Sequence, residues 1–192
     1  MGMGPGLGQS AELAAIVAQL YRDLTQPMVV DADALNALAK QPDELKIHAG
    51  PRVLTPHPGE FARLLGEEKI PPDEREGRAI ALAAATDTVI VLKGHRTLIT
   101  DGRQSVHNET GNPGMATGGT GDVLTGIITA LMGQGLSPFD AARLGAHVHG
   151  LAGDLAAAEL GQVSLIASDL IRYLHGAFLA CAMSQGTPIG FA

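Results

Sequence analysis

The residues best placed to do chemistry lie in one run, Asn112-Pro113-Gly114-Met115-Ala116-Thr117-Gly118-Gly119-Thr120-Gly121-Asp122, which leads straight into an apolar helical pattern. The first amides of a helix have no intrahelical acceptor and carry the positive end of its dipole, so this junction suits an anion such as a phosphate. Glycines there let the backbone approach phosphate oxygens with no side chain in the way. Asp122 is open to two readings. As an acid in a first helical turn it is an ordinary capping group. A carboxylate inside a phosphate nest would repel the phosphate unless it faced a second reactant, and there it can take the proton of an attacking hydroxyl as general base. The run is not a Walker A loop, because no lysine follows a G-x-x-x-x-G frame. For the segment as a whole, the competing reading is a plain glycine-rich connector.

Four further segments place polar groups after apolar strands or in glycine turns. Pro56-His57-Pro58 holds a histidine on a stiff loop at a sheet edge, where ligands collect in α/β folds. Glu60, three residues on, could hold a hydrated Mg²⁺ or cap the following helix, and spacing alone does not separate the two. In Asp31-Ala32-Asp33-Ala34-Leu35-Asn36 the alternate acids are either helix-capping groups or pocket carboxylates, with Asp33 and Asn36 the candidate pocket residues. Lys93-Gly94-His95-Arg96-Thr97 follows a buried β-run; a lysine beside a glycine there suits a phosphate, and a solvated turn is the alternative. Gly4-Pro5-Gly6-Leu7-Gly8 lacks the spacing of the dinucleotide fingerprint and signals only backbone lining a pocket. His147 and His149 are two apart on one helix and face different directions, so a metal pair is not expected.

The elements that must carry these groups alternate between strand and helix. Strands are expected at residues 27–31, 52–55 and 88–92, and helices from Ser10, at 34–40, from 61, and at 74–85, 122–132, 138–160 and 167–182. A hairpin is expected where 97–100 and 104–107 flank Asp101-Gly102-Arg103. The pattern predicts an α/β layered fold with a mixed rather than purely parallel sheet, in one domain over 1–192. The opening MGMGPGLG looks like the exit of a strand whose body is absent. Either sequence before Met1 is missing, or another chain completes the sheet. Of the 192 residues 45% are hydrophobic and only 3% aromatic, so the core is aliphatic. A net charge of −7 with scattered Lys and Arg argues against a nucleic-acid partner. The single Cys181, the lack of a leader pattern and the lack of a membrane-length apolar run make a cytoplasmic, soluble protein the expectation.

Taken in order from Gly4 to about Ile171, these segments resemble the NAD(P)H-hydrate dehydratase family of the ribokinase-like superfamily. The resemblance implies a three-layer domain with a mainly parallel sheet, here without the usual N-terminal segment and without the family's epimerase partner domain. It implies a repair enzyme that dehydrates the hydrate of NADH or NADPH at the expense of ADP, giving AMP and phosphate, or of ATP, with Mg²⁺. By motif position, Gly6, His57 and Asp122 would contact the hydrated nicotinamide nucleotide. Lys93, Gly94, His95, Arg96, Thr97 and Gly121, together with Gly119 and Asn112, would contact the adenine nucleotide. Asp122 would be the catalytic base, and a homo-oligomer is expected. A ribokinase-like kinase for a vitamin precursor, which would leave a stable phosphorylated product, and a nucleotide-binding fragment without turnover are the alternatives.

Overall fold

In a computed structural model that describes residues 1–184, successive strand residues face opposite sides of one sheet. Met28, Val30, Leu54, Ile90, Leu92 and Leu98 join one buried cluster, while Val29, Val53, Val89, Val91 and Ile99 join another. Strands covered on both faces have no solvent side to mark with polar residues, which is why 89–92 reads as an unbroken apolar run. Residues 185–192, the end of the domain expected over 1–192, lie outside the described residues.

The sheet runs β1 (Gly2–Met3), β2 (Met28–Val30), β3 (Arg52–Leu54), β4 (Val89–Leu92), β5 (Leu98–Thr100), β6 (Ser105–His107) in that spatial order. The first four strands are parallel; β5 and β6 add the antiparallel hairpin, so the sheet is mixed as expected. Helices α1 (Ala11–Asp23), α2 (Ala32–Leu38), α3 (Pro58–Leu64) and α4 (Arg75–Thr86) contribute to the first cluster. On the other face lie α5 (Thr120–Gly133), α6 (Pro138–Leu160) and α7 (Ala167–Ser184). This is the expected three-layer α/β arrangement. Among the described residues no helix is long and apolar enough to cross a membrane.

Several helices start earlier than their apolar periodicity suggests, because capping groups precede the first buried residue. Ser10 caps α1 as expected, through the Leu13 amide. The Asp31 side chain caps α2 at Ala32 rather than at 34, and His57 caps α3 at Pro58. α5 begins at Thr120 with Gly119 as N-cap at φ +87°, a left-handed conformation that favours glycine. Asp122 is therefore its third residue.

The parallel strands deliver their exits to one edge. Gly4–Gly8 leaves β1, Asp31 follows β2, Thr55–Glu60 follows β3, and Lys93–Thr97 follows β4. Gly4 lies at φ +129°, and a Cβ there would come within 1.8 Å of the Asp31 carbonyl oxygen. Only glycine lets the first loop cross the end of β2 this closely.

Candidate active site

Lys93 is the hub of that edge. Its Nζ lies 2.7 Å from Asp31 Oδ1 and 3.8 Å from Glu60 Oε2, and its side chain keeps 21% exposure while that of Asp31 keeps 1%. The other Asp31 oxygen accepts the Thr125 hydroxyl at 2.8 Å, which ties β2 to α5. A Cβ on Gly121 would approach Lys93 Nζ to 3.4 Å and Asp31 Oδ2 to 3.8 Å. The first turn of α5 is thus seated directly against a lysine ammonium. Two positive features, a helix start and a cation, converge there.

Asp122 stands at the rim of that turn. It is exposed, and its carboxylate has no hydrogen bond or ion pair among the described residues. The capping alternative therefore has no bond to rest on. Thr120, by contrast, is buried, and its hydroxyl meets the Met115 and Thr117 carbonyl oxygens at 2.9 Å each, closing the loop that precedes the helix. His149 of α6 supports the turn from beneath, with Nε2–H donating to the Thr120 carbonyl at 2.9 Å. Burial, with a smaller contribution from nearby Lys93, holds its pKa down at about 4. The imidazole is neutral at neutral pH. His147, two residues away, is exposed, so the two histidines do not pair.

His57 and Glu60 form a reciprocal capping box at the start of α3. The Gly59 and Glu60 amides donate to His57 Nδ1 at 3.0 and 3.4 Å, and the His57 amide donates to Glu60 Oε2 at 2.8 Å. With Nδ1 accepting, the ring proton sits on Nε2, and half of the side chain faces solvent. Glu60 thus caps the helix, the simpler of its two readings. Among the described residues no three His, Cys, Asp or Glu side chains gather to hold a metal. One buried carboxylate beside a phosphate-type site does fit Mg²⁺, an ion that binds through one or two carboxylates, several waters and substrate phosphates.

The remaining candidates separate into those the fold brings to the edge and those it uses as scaffold. The Thr97 hydroxyl bonds the Gly94 amide and carbonyl at 3.3 and 3.1 Å, closing the turn after β4. Arg96 and His95 are exposed on that turn, Arg96 pairing with Glu109 at 2.6 Å. Gly6 sits at φ +68° with open space where a side chain would be. The Asn112 side chain is committed to its own loop: Oδ1 accepts from the Gly114 amide at 3.1 Å, and Nδ2 donates to Asp154 Oδ1 at 2.9 Å. Asp33 holds the first glycine loop, accepting from the Gly8 amide at 2.8 Å and from the Gln9 amide group. The Gln9 bond, then that of Gly8, lowers its pKa. Asn36 accepts from Arg63 Nε at 2.7 Å. Asp31, Thr125, His149 and Asp154 were not singled out as site residues. Their partners lie 62, 94, 29 and 42 residues away, beyond any local pattern.

Comparison with known proteins matches residues 1–175 to the sequence model of the NAD(P)H-hydrate dehydratase family. The chain is 51% identical over 178 residues to the bifunctional NAD(P)H-hydrate repair enzyme of Moorella thermoacetica, covering 91% of this chain and 33% of that enzyme. Among solved structures, the ADP/ATP-dependent NAD(P)H-hydrate dehydratase of Bacillus subtilis, co-crystallised with ATP and Mg²⁺, matches with a TM-score of 0.80 at 33% identity. The match covers 93% of this chain and 63% of that one. A ribokinase-like superfamily protein of Enterococcus faecalis matches with a TM-score of 0.73 at 30% identity, over 93% and 62% of the two chains. The fold is therefore ribokinase-like. The chain spans about a third of the length of the bifunctional repair enzymes it matches.

Proposed function

This chain belongs to the NAD(P)H-hydrate dehydratase family, and on that footing we propose that it restores NADH or NADPH from the corresponding hydrate at the expense of ADP or ATP. The observation that carries the reading is the seat of Gly121 against Lys93 beside an unbonded Asp122. A phosphate at the start of α5 is met there by helix amides and an ammonium, with a carboxylate at hand for a hydroxyl.

In the proposed reaction Asp122 takes the proton of the ring hydroxyl as that oxygen attacks the terminal phosphorus of the nucleotide. The new O–P bond forms as the bond to the leaving AMP (from ADP) or ADP (from ATP) breaks. Phosphate then departs from the ring carbon with its bonding pair, and loss of a neighbouring ring proton restores the double bond. The amides of Gly119 to Gly121 and Lys93 stabilise charge on the phosphoryl oxygens. Glu60 is the residue that would hold Mg²⁺ through water, and the ion would supply further positive charge for the phosphoryl group. Gly6 and His57 flank the nicotinamide half, and the Lys93–Thr97 turn holds the adenine nucleotide. We assign the enzyme a cytoplasmic setting and a homo-oligomeric state on the lone cysteine and the family resemblance.

The test is to incubate the purified chain with ADP, Mg²⁺ and NADH hydrate, following recovery of the dihydronicotinamide absorbance together with AMP release. Asp122→Asn should lower kcat by about 10²–10⁴-fold, the range for a general base, with the melting temperature and ADP affinity unchanged. Wild-type protein that accumulates a stable phosphorylated product without recovering the absorbance would indicate a kinase and refute the proposal. An Asp122→Asn protein that unfolds would return the residue to a capping role.

A further inference from the structure

The Lys93–Thr97 turn and the glycine turn stand on separate elements, and residues 108–117 span the distance between them. At the first end the Asn108 amide donates to the Thr97 carbonyl at 2.9 Å, and Glu109 pairs with Arg96 at 2.6 Å. At the other end the Met115 and Thr117 carbonyl oxygens meet the Thr120 hydroxyl at the start of α5. In between there is only one short 3-10 turn, Pro113–Met115, so side-chain bonds must hold the span in shape.

α6 supplies those bonds. The Thr110 hydroxyl meets the His147 carbonyl oxygen at 2.8 Å, and a Cβ on Gly150 would lie 2.6 Å from the Thr110 carbonyl oxygen, so the segment rests directly on the helix. Asp154, one turn further along, has no cation partner among the described residues. Its charge goes to the segment instead. Oδ2 accepts the Gly111 amide at 2.8 Å, and Oδ1 accepts Asn112 Nδ2 at 2.9 Å. A carboxylate accepts and never donates, so it serves both donors at once. Asn112 Oδ1 is then left for the Gly114 amide at 3.1 Å, which opens the 3-10 turn that ends on the Met115 carbonyl. A continuous chain of bonds therefore joins Asp154 to Thr120, and His149 of the same helix holds the Thr120 carbonyl.

We propose that Asp154 is a positioning residue: through Gly111 and Asn112 it sets the separation of the Lys93–Thr97 turn and the glycine turn. A nucleotide held at the first then presents its terminal phosphate to the amides of the second. Asp154 itself touches neither reactant. The inference rests on the dehydratase reading for the identity of the nucleotide. Sub-ångström placement of such donors is what an aligned phosphoryl transfer depends on.

The test uses the reciprocity of residues 112 and 154. Asp154→Asn puts an amide group against either Asn112 Nδ2 or the Gly111 N–H, so that donor faces donor. Adding Asn112→Asp restores all three bonds at unchanged net charge, because 154 then donates to 112 while 112 still accepts from Gly114. Calorimetry compares ADP with AMP, which lacks the terminal phosphate. Wild type should bind ADP more tightly than AMP. Asp154→Asn should lose about tenfold for ADP and nothing for AMP, and the double variant should recover the loss. A merely structural Asp154 would lower the melting temperature and leave the preference for ADP over AMP intact.

Unaltered ADP affinity in folded Asp154→Asn, equal losses for both nucleotides, or a wild type that does not prefer ADP would overturn the proposal. If Asp154→Asn alone does not fold, the double variant decides: wild-type ADP affinity supports the proposal, and a folded double variant still weakened for ADP overturns it. Turnover of NADH hydrate with ADP, measured on the same wild-type preparation, separates this inference from the reaction itself. Turnover with unaltered ADP affinity in Asp154→Asn defeats the positioning role alone, whereas loss and recovery of ADP affinity without any wild-type turnover defeats the reaction alone.

Discussion

Two cations stand at opposite ends of neighbouring strands, Arg52 at the entry to β3 and Lys93 at the exit of β4. Arg52 is 1% exposed, and its guanidinium donates to the carbonyl oxygens of Tyr21, Leu24, Gln26 and Pro51. Tyr21 stacks on it at 5.3 Å and sends its own hydroxyl to the Leu45 carbonyl, and burial raises the phenol pKa. The donors of Arg52 are spent on backbone carbonyl oxygens. Lys93 has one close carboxylate, a second at 3.8 Å, a fifth of its side chain exposed, and a helix start in front of it. The difference is one of remaining capacity. A buried cation that spends its donors on backbone is scaffold, while one that is half-satisfied at a strand exit can still meet a phosphate.

The largest expected break of this contrast is at the closed end. Arg52→Met leaves several buried carbonyl oxygens without donors and should cost about 4 kcal/mol of stability, read from urea unfolding. Whatever remains folded should bind ADP as wild type does. Weakened ADP binding by folded Arg52→Met protein would mean that the two ends are coupled and the contrast is false.

The next effect is acid sensitivity beneath the glycine turn. The unfolded chain protonates His149 near 6.5 and the folded chain only near 4. Its neutral form is therefore favoured by folding, and the stabilisation is complete above pH 6.5 and lost as pH falls toward 4. The full swing is about 3 kcal/mol. His149→Gln, which keeps a donor for the Thr120 carbonyl, should flatten the unfolding midpoint between pH 4 and 6.5 relative to wild type. Identical profiles would remove His149 from the support of the site.

The smallest stability change is at the open end and sharpens the comparison most. Lys93→Met strands the buried Asp31 carboxylate, but the Thr125 hydroxyl and the Ala32 amide still serve it, so the cost should be about 2 kcal/mol. Adding Asp31→Asn should recover most of that stability, because the pair is removed together. ADP affinity, by contrast, should stay at least tenfold down in both variants. Recovery of affinity along with stability would make Lys93 scaffold like Arg52.

How much of this was legible beforehand can be seen residue by residue. The glycine run before Asp122, the capping serine of α1 and the hairpin at Asp101-Gly102-Arg103 were readable, because a turn, a cap and an apolar period are written within a few residues. The starts of α2, α3 and α5 were misplaced by two or three residues, since apolar periodicity marks the first buried side chain and not the cap before it. Glu60 enters a capping box, one of the two readings its spacing allowed, and the Asn112 side chain bonds the Gly114 amide and Asp154, a partner no local pattern shows.

The amino-acid sequence by itself determined the family, the order of strands and helices, and the short segments that meet at the sheet edge, because each is encoded by local residue types and spacing. Only the tertiary structure decided which acid neutralises Lys93, which histidine lies beneath the glycine turn, and which arginine ties α3 to α2. Those outcomes depend on contacts between residues tens of positions apart, set when parallel strands bring their exits together.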